Sequence, residues 1–212
     1  MEIDSIPWLK NPNNWIQLPW SWCNDIGEEE DISKVIFLDI DGVLNDDDYT
    51  GIKVHEDKVK LLAKLVNATD ADIVISSSWR YYIRQYILRI SEGEEIPPDM
   101  APVRLLTSLF ERYNLKISGF TPELSSGPDA RPMEIRAWLI NQINIDSFVI
   151  LDDDNFWTWK WMDRYFIRTA TKQPGRNELG RHRDEVRGLT EAHVQKAIEI
   201  LNSKIQKEEK EA

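Results

Sequence analysis

Apolar residues along the chain form short blocks that alternate between strand-like and helix-like spacing. Four continuous apolar blocks predict buried strands at Val35–Asp39, Asp72–Ser76, Ser147–Asp154 and Tyr165–Ala170. Elsewhere apolar residues recur every three or four positions, as in helices that bury one face. Such helices are predicted over Glu56–Val66, Trp79–Ile90, Val103–Tyr113 and Pro132–Gln142, with a last one that begins near Thr190 as N-cap.

The spacing also predicts which helix faces are buried and where loops lie. The second helix is predicted to bury a stripe of Tyr82, Ile83, Tyr86 and Ile87. Residues 91–99 and 119–130 are predicted as loops because they are rich in Gly, Pro and acids. Strands that alternate with helices predict an α/β fold with a parallel sheet covered on both faces. Ligands of such sheets bind beyond the carboxyl ends of the strands.

Composition divides the chain into three parts. Its 212 residues are 42% hydrophobic and 30% charged, which suits one packed domain with an appendage. Residues 1–33 are rich in Trp, Pro and Asn without clear periodicity, and we expect an appendage there. Residues 34–206 are expected to form the folded domain, and residues 207–212 a charged tail.

Charge and cysteine content narrow the classes of function. The net charge of −11 excludes tracking of long duplex nucleic acid by bulk electrostatics. Cys23 is the single cysteine, so an intrachain disulfide and a zinc site built on several cysteines are excluded. With neither a membrane-length apolar run nor a signal-peptide pattern, the sequence predicts a cytoplasmic protein without a membrane partner. It does not predict the oligomeric state.

Polar residues follow three of the predicted strands. The first strand runs into Asp39-Ile40-Asp41-Gly42, the second into Ser76-Ser77-Ser78 and the third into Asp152-Asp153-Asp154. Clustered carboxylates repel one another until a cation or a proton relieves them, and an oxygen-rich site favours Mg²⁺. An EF-hand calcium loop is excluded, because its glycine would be sixth and its glutamate twelfth, whereas Gly42 is fourth and Thr50 twelfth.

Taken together, these motifs resemble the haloacid dehalogenase-like (HAD) phosphohydrolase superfamily. The resemblance rests on VIFLDIDGVLN (35–45), Ser77, Arg131 and FVILDDD (148–154), in this order over about residues 34–170. The segments SSSWR, GFTP, RPMEIRAWL and GLT are similar to a subgroup of small HAD proteins, some of them tied to nucleic-acid end repair. The resemblance implies a three-layer Rossmann-like core and Mg²⁺-dependent hydrolysis of a phosphomonoester through an aspartyl-phosphate. Neither gap after the first two motifs predicts a large cap domain.

The resemblance also implies roles for the acids and for the third motif. Asp39 would be the nucleophile and a metal ligand, and Asp41 the general acid and then base, with its backbone carbonyl on the metal. Gly42 would allow a tight chain reversal beneath the phosphate. Arg131 would offset charge on the nucleophile and the phosphoryl group, although a surface arginine is the competing interpretation. Asp152 and Asp153 would complete the metal site.

Serines and a second arginine are expected at the phosphate. Ser77 would hold a phosphate oxygen together with the backbone N–H of Ser78, although Ser76 and Ser78 remain alternatives for the side chain. Arg80 would either reach the phosphate or pair with an acid. Trp157, Trp159 and Arg164 are candidate substrate contacts. The segment Thr158–Arg187 carries eight cations against four acids. Aromatic rings beside cations suit a base stacked on a ring with its phosphates held by arginine. The alternative is that these tryptophans are packing residues.

The resulting prediction is a phosphatase whose substrate is a nucleotide or a nucleic-acid end. Two alternatives remain open. One is a nucleotidase for small mononucleotides, and the other is a non-enzymatic HAD-like scaffold that binds another protein. Asp39 and Asp41 together weigh against the scaffold, since a binding module has no need of both acids.

Overall fold

A single parallel sheet forms the centre of the protein. The computed structural model describes residues 33–45, 53–124, 130–142, 145–154, 160–170 and 188–203. Its strands are β1 (Lys34–Leu38), β2 (Asp72–Ile75), β3 (Ile117–Phe120), β4 (Ser147–Asp152) and β5 (Phe166–Arg168). They are arranged in the order β3-β2-β1-β4-β5, and every neighbouring pair is parallel.

Helices cover both faces of this sheet. They are α1 (Glu56–Thr69), α2 (Trp79–Ser91), α3 (Ala101–Arg112), α4 (Ala130–Ile140) and α5 (Glu191–Asn202), with 3-10 turns at Pro98–Met100 and Lys160–Tyr165. Ile36 and Leu38 of β1 face a core shared with α1, α2, α3 and α5. Val35 and Phe37 face the other way, into a core shared with α4 and the second 3-10 turn. The predicted three-layer α/β fold is confirmed.

The part of the chain between β2 and α4 that the structure describes forms α2, α3 and β3. All three elements belong to the central sheet or to the core on one of its faces. This part of the chain therefore contains no separate cap domain, as the sequence predicts. None of the helices in the described ranges is long and apolar enough to cross a membrane. Apart from Ser33, the predicted appendage and the charged tail lie outside the described residues.

The strand ends are brought to a common edge by backbone hydrogen bonds that continue past the last paired residues. Asp39 N donates to the carbonyl oxygen of Leu151 at 3.0 Å, and Ser76 N donates to that of Leu38 at 2.8 Å. Farther out, Thr169 N donates to the Asp152 carbonyl oxygen at 2.9 Å. Polar residues that follow different strands therefore meet at the carboxyl edge, as the sequence predicts.

One strand was not predicted. Gly119 and Phe120 were expected in a loop, whereas they end β3, an edge strand paired with β2. This strand has four residues, includes Ser118 and Gly119, and buries only Gly119 fully. An edge strand of this length gives too short a pattern to be separated from a loop.

The buried face of α2 also differs from the prediction. Ile83 and Tyr86 are buried as expected, but Tyr82 is 54% exposed and Ile87 42% exposed. Trp79 is buried instead. The observed spacing of Trp79, Ile83 and Tyr86 follows one helix face, whereas Tyr82 and Ile87 lie on opposite sides of it, each about 70° away from its centre.

Helix starts were predicted with mixed success. Thr190 caps α5, because its Oγ1 accepts the backbone N–H of His193 at 3.3 Å while His193 Nδ1 accepts the N–H of Thr190. Pro132 was expected to be the first helical residue, but α4 begins at Ala130. A proline fits this third position equally well, because the first N–H groups of a helix have no intrahelical acceptor.

Candidate active site at the carboxyl edge of the sheet

Three carboxylates meet where β1 and β4 end. Leu38 pairs with Leu151 in the parallel register, so the residues that follow, Asp39 and Asp152, stand side by side. Oxygen atoms of Asp39, Asp152 and Asp153 all lie within 4.8 Å of one another. The first two side chains are buried. The pairing register of β1 and β4 therefore brings these acids together.

Burial makes the charged forms of these acids costly. It raises the pKa of Asp39 above its ordinary value, against the opposing effect of the nearby Arg131. Burial, together with the charge of Asp39, raises the pKa of Asp152 to about 7. A cation among the carboxylates would favour their ionised forms and reverse these shifts.

One cation already contacts two of the acids. Arg131 in the first turn of α4 donates from Nη1 to Asp39 Oδ2 at 2.6 Å and to Asp152 Oδ2 at 2.5 Å. Burial lowers the pKa of Arg131, but the charges of Asp152 and Asp39 outweigh it and hold the pKa above its ordinary value. Its guanidinium offsets one negative charge, although it contacts two carboxylates. An all-oxygen donor set of this kind fits a hard divalent cation.

Asp41 is held by two side chains that the sequence did not single out. Asn45 Nδ2 donates to its Oδ1 at 2.8 Å, and the Trp79 indole Nε1 donates to its Oδ2 at 2.9 Å. Asn45 is itself fixed, since its Oδ1 accepts the backbone N–H of Gly42 at 2.8 Å. The Asp41 carboxylate is therefore oriented within the turn that follows β1.

Gly42 is the point of closest approach in this turn. Its φ is +65°, a left-handed conformation that side chains disfavour. A Cβ placed there would lie 2.3 Å from Asp153 Cγ. The Gly42 carbonyl oxygen also accepts a 2.7 Å hydrogen bond from Thr169 Oγ1, which follows β5. The glycine thus lets Asp153 join the acidic cluster.

The three serines after β2 have different environments. Ser77 is buried, its hydroxyl lies near enough to Asp39 to lower the pKa of that carboxyl, and its Oγ accepts the backbone N–H of Trp79 at 3.3 Å. Ser78 is exposed and precedes α2. Ser76 Oγ is buried without a hydrogen-bond partner in the structure. Ser77 is therefore the serine that contacts Asp39.

Arg80 lies in a second buried polar cluster. Its Nη2 donates to Glu134 Oε1 at 2.8 Å, and its Nη1 donates to Thr121 Oγ1 at 3.3 Å. The same Glu134 oxygen accepts the backbone N–H of Leu124 at 3.3 Å. Of the two alternatives for Arg80, pairing with an acid is the one observed, and phosphate binding stays a prediction.

The predicted substrate contacts are only partly visible. Trp157 and Trp159 lie outside the described residues. Arg164 is exposed in the 3-10 turn before β5, with its guanidinium 5.7 Å from the ring centre of Tyr165. From the same basic segment, Arg168 Nε donates to the carbonyl oxygen of Asp153 at 3.0 Å and so anchors the acidic turn.

Sequence reasoning missed four residues that shape the site: Asn45, Trp79, Glu134 and Thr169. Thr169 lies near the carboxyl end of the predicted strand Tyr165–Ala170, so the rule that strand ends carry ligands could have found it. Asn45 and Trp79 lie inside motifs that were recognised, but no local pattern gives their contacts with Asp41. Glu134 lies three residues after Arg131, on the same face of α4.

The family comparison covers most of the described chain. A family model for the HAD domain in Swiss Army Knife RNA repair proteins matches residues 35–174. The matched range contains the acidic cluster, Asp41, Ser77 and Arg131. Neither a search of curated proteins nor a search of solved structures gave a significant match. The resemblance drawn from the sequence motifs is confirmed, and the chain belongs to the family of HAD domains found in Swiss Army Knife RNA repair proteins.

Proposed function

We propose that this protein is a magnesium-dependent phosphatase that removes a phosphoryl group from a nucleic-acid end or a nucleotide. The observation that carries the proposal is the meeting of Asp39, Asp152 and Asp153, with Arg131 across the first two. Such a cluster has the charge and the oxygen donors to hold Mg²⁺ beside a phosphate. The family's link to RNA repair proteins favours an RNA terminus as the substrate.

The metal would be held by carboxylate oxygens of Asp39, Asp152 and Asp153 and by the backbone carbonyl of Asp41. Magnesium bound there would supply positive charge to the transferring phosphoryl group. Arg131 adds a fixed positive charge next to the nucleophile. The Ser77 hydroxyl and the backbone N–H of Ser78 would donate hydrogen bonds to the phosphoryl oxygens.

The reaction divides between Asp39 and Asp41. An Asp39 oxygen attacks phosphorus while the bond to the leaving oxygen breaks, and Asp41 gives its proton to that oxygen. The products of this step are the free alcohol and an aspartyl-phosphate. Asp41 then takes a proton from water, the resulting hydroxide attacks phosphorus, and inorganic phosphate leaves with Asp39 restored. Both steps use the carboxylates that the turn after β1 holds.

The proposal also covers the size of the substrate and the division of the chain into domains. The described chain places no separate cap over the acidic cluster, which leaves room for a polynucleotide terminus. We propose that Trp157, Trp159 and Arg164 contact this substrate, with bases on the rings and phosphates on the arginine. The catalytic domain would comprise residues 34–206, between the Trp-rich appendage and the charged tail.

The test is a phosphatase assay on a graded set of esters. Wild-type protein, Asp39→Asn and the matched control Asp163→Asn, an exposed acid outside the cluster, are assayed with Mg²⁺ and with EDTA. Substrates are p-nitrophenyl phosphate, mononucleotides, and RNA and DNA oligonucleotides with a 5′- or 3′-phosphate. Phosphate release by wild type and Asp163→Asn with Mg²⁺, and its loss in Asp39→Asn, is expected.

The substrate order separates the alternatives. Faster release from oligonucleotide ends supports an end-processing phosphatase, and faster release from mononucleotides supports a nucleotidase instead. Unchanged activity in Asp39→Asn would refute the mechanism. No release from any ester by wild type would refute the enzymatic function.

A further inference from the structure

We propose that Trp79 is a positioning residue that holds the carboxylate of Asp41 in line with the leaving oxygen. The inference rests on the proposed function, in which Asp41 transfers the proton. It gives the indole N–H of Trp79 the role of orienting Asp41. Neither the motif pattern nor the family description assigns this role. Its starting point is the 2.9 Å hydrogen bond from Trp79 Nε1 to Asp41 Oδ2.

The contact joins two separate segments of the chain. Asp41 lies in the turn after β1, and Trp79 begins α2, which follows β2. Trp79 also donates its backbone N–H to Ser77 Oγ at 3.3 Å. A single residue therefore links the serine beside the nucleophile with the acid that would serve the leaving group. Displacing Trp79 would disturb the relation between these two groups.

Both oxygens of Asp41 have one defined donor. Asn45 Nδ2 donates to Oδ1 at 2.8 Å, and Trp79 Nε1 donates to Oδ2 at 2.9 Å. Two donors on opposite oxygens fix both the rotamer and the rotation of the carboxylate plane. Each carboxylate oxygen has a second lone pair, so these bonds leave acceptor sites for a substrate or a water. Holding an acid in its reactive direction is worth a large factor in rate.

The surroundings of Trp79 allow its hydrogen bond to be distinguished from the packing of its ring. Trp79 is only 5% exposed, and its ring belongs to the apolar core that α1, α2 and α5 share. A buried indole N–H without a partner is costly, and this one is satisfied by Asp41. Phenylalanine would keep an aromatic ring in the core and lose the donor together with part of the apolar volume. Trp79→Phe therefore tests the hydrogen bond when it is compared with the same loss of volume at another tryptophan.

The first experiment compares leaving groups. Trp79→Phe is assayed beside wild type and Trp138→Phe, which removes an indole that packs against Phe37 on the other face of the sheet. With alkyl phosphates, whose leaving oxygen needs a proton, we expect kcat/KM, which reports the step that releases the alcohol, to fall about tenfold to a hundredfold. With p-nitrophenyl phosphate, whose leaving group departs without a proton, the loss should be several-fold smaller. Trp138→Phe should show no such dependence.

A double-mutant cycle tests whether the effect passes through Asp41. In an Asp41→Ala background the carboxylate is absent, so adding Trp79→Phe should leave the residual rate on alkyl phosphates unchanged. Equal losses on both kinds of ester would overturn the proposal, and so would additive effects in the cycle. Either outcome would assign Trp79 to packing.

The hydrogen bond can be measured without turnover. In a ¹H–¹⁵N spectrum of the full chain, the Trp79 indole signal is identified by its absence from Trp79→Phe. It should shift in Asp41→Ala, whereas the Trp138 indole signal should stay in place. An unmoved Trp79 signal would overturn the contact itself. If wild type hydrolyses no ester, the proposed function is wrong. The spectrum then still tests the contact between Trp79 and Asp41.

Discussion

Two arginines, the buried Arg80 and the half-buried Arg131, lie near the carboxyl edge of the sheet, and their surroundings differ in charge balance. Arg80, with 9% of its side chain exposed, faces one carboxylate, Glu134, and the hydroxyl of Thr121. Arg131, with 24% exposed, faces both Asp39 and Asp152. With Asp153 close by, the second cluster holds more acids than cations.

The charge balance around each arginine suggests a different role for it. In a balanced buried pair each charge is offset by the other, and removing one partner leaves an uncompensated charge. An unbalanced cluster stays costly in the protein alone, which explains why the pKa of Asp152 is raised to about 7 by burial and by Asp39. Such a cluster gains most from a bound cation. We therefore propose that the Arg80 pair contributes to stability and the Arg131 cluster to binding and catalysis.

The largest expected effect is on catalysis at the unbalanced cluster. Asp39→Asn removes the nucleophile, and we expect phosphate release to fall by roughly 10⁴-fold or more. The melting temperature should not fall, because the substitution also removes a charge that repels Asp152. Steady-state kinetics and calorimetry measure the two quantities. A large loss of stability together with activity would erase the distinction from the Arg80 pair.

The balanced pair should respond in the opposite way. Arg80→Met leaves Glu134 buried without its partner, and we expect the free energy of unfolding to fall by about 3–5 kcal/mol. The activity of the folded fraction should stay within a few-fold of wild type. Replacing Glu134 by Met as well should restore most of the stability, as urea denaturation would show. A loss of activity at intact stability would instead support the predicted contact of Arg80 with phosphate.

Magnesium should discriminate among the acids of the DDD run. Mg²⁺ at a hundred times its Kd should stabilise wild type by about 2.7 kcal/mol. Asp152→Asn should lose this gain, whereas Asp154→Asn should keep it, since Asp152 belongs to the acidic cluster and Asp154 does not. Arg131→Met should bind Mg²⁺ more tightly than wild type, because a nearby positive charge is gone. Thermal shifts with and without EDTA measure all four proteins.

The smallest expected effect is a loss of stability from a substitution that does not touch either arginine. Thr190→Ala removes the N-cap of α5, and we expect about 1 kcal/mol of lost stability. Activity and the Mg²⁺-dependent stabilisation should remain those of wild type. A change in either would show that α5 is coupled to the acidic cluster, and the comparison of the two arginines would then need a common structural cause.

Much of the fold and of the acidic cluster could be predicted from local sequence. Continuous apolar runs gave the four strands other than β3, and the rule of strand ends placed Asp39, Ser77 and Asp152 at one edge. These features depend on residues a few positions apart. The order of the motifs then indicated the family.

The remainder depends on contacts between distant residues. Trp79 meets Asp41 across 38 positions and Arg80 meets Glu134 across 54, so neither pairing has a local pattern. The exposed side of α2 could not be predicted either, because Tyr82 and Ile87 are apolar on a helix whose orientation is set by Trp79 and Ile83. Side-chain partners across the fold are decided by packing that a single sequence does not display.

The pairing of Leu38 with Leu151 has a consequence for how this sequence can vary. Asp39 and Asp152 adjoin because each is the next residue after a matched pair, so their meeting depends on the number of residues in each strand more than on their identity. Exchanges among Val, Ile and Leu within VIFL or FVIL would keep that count. Inserting or deleting one residue in either strand would turn the next carboxylate to the opposite face of the sheet. The site should therefore tolerate substitution in these strands and fail with any change of length.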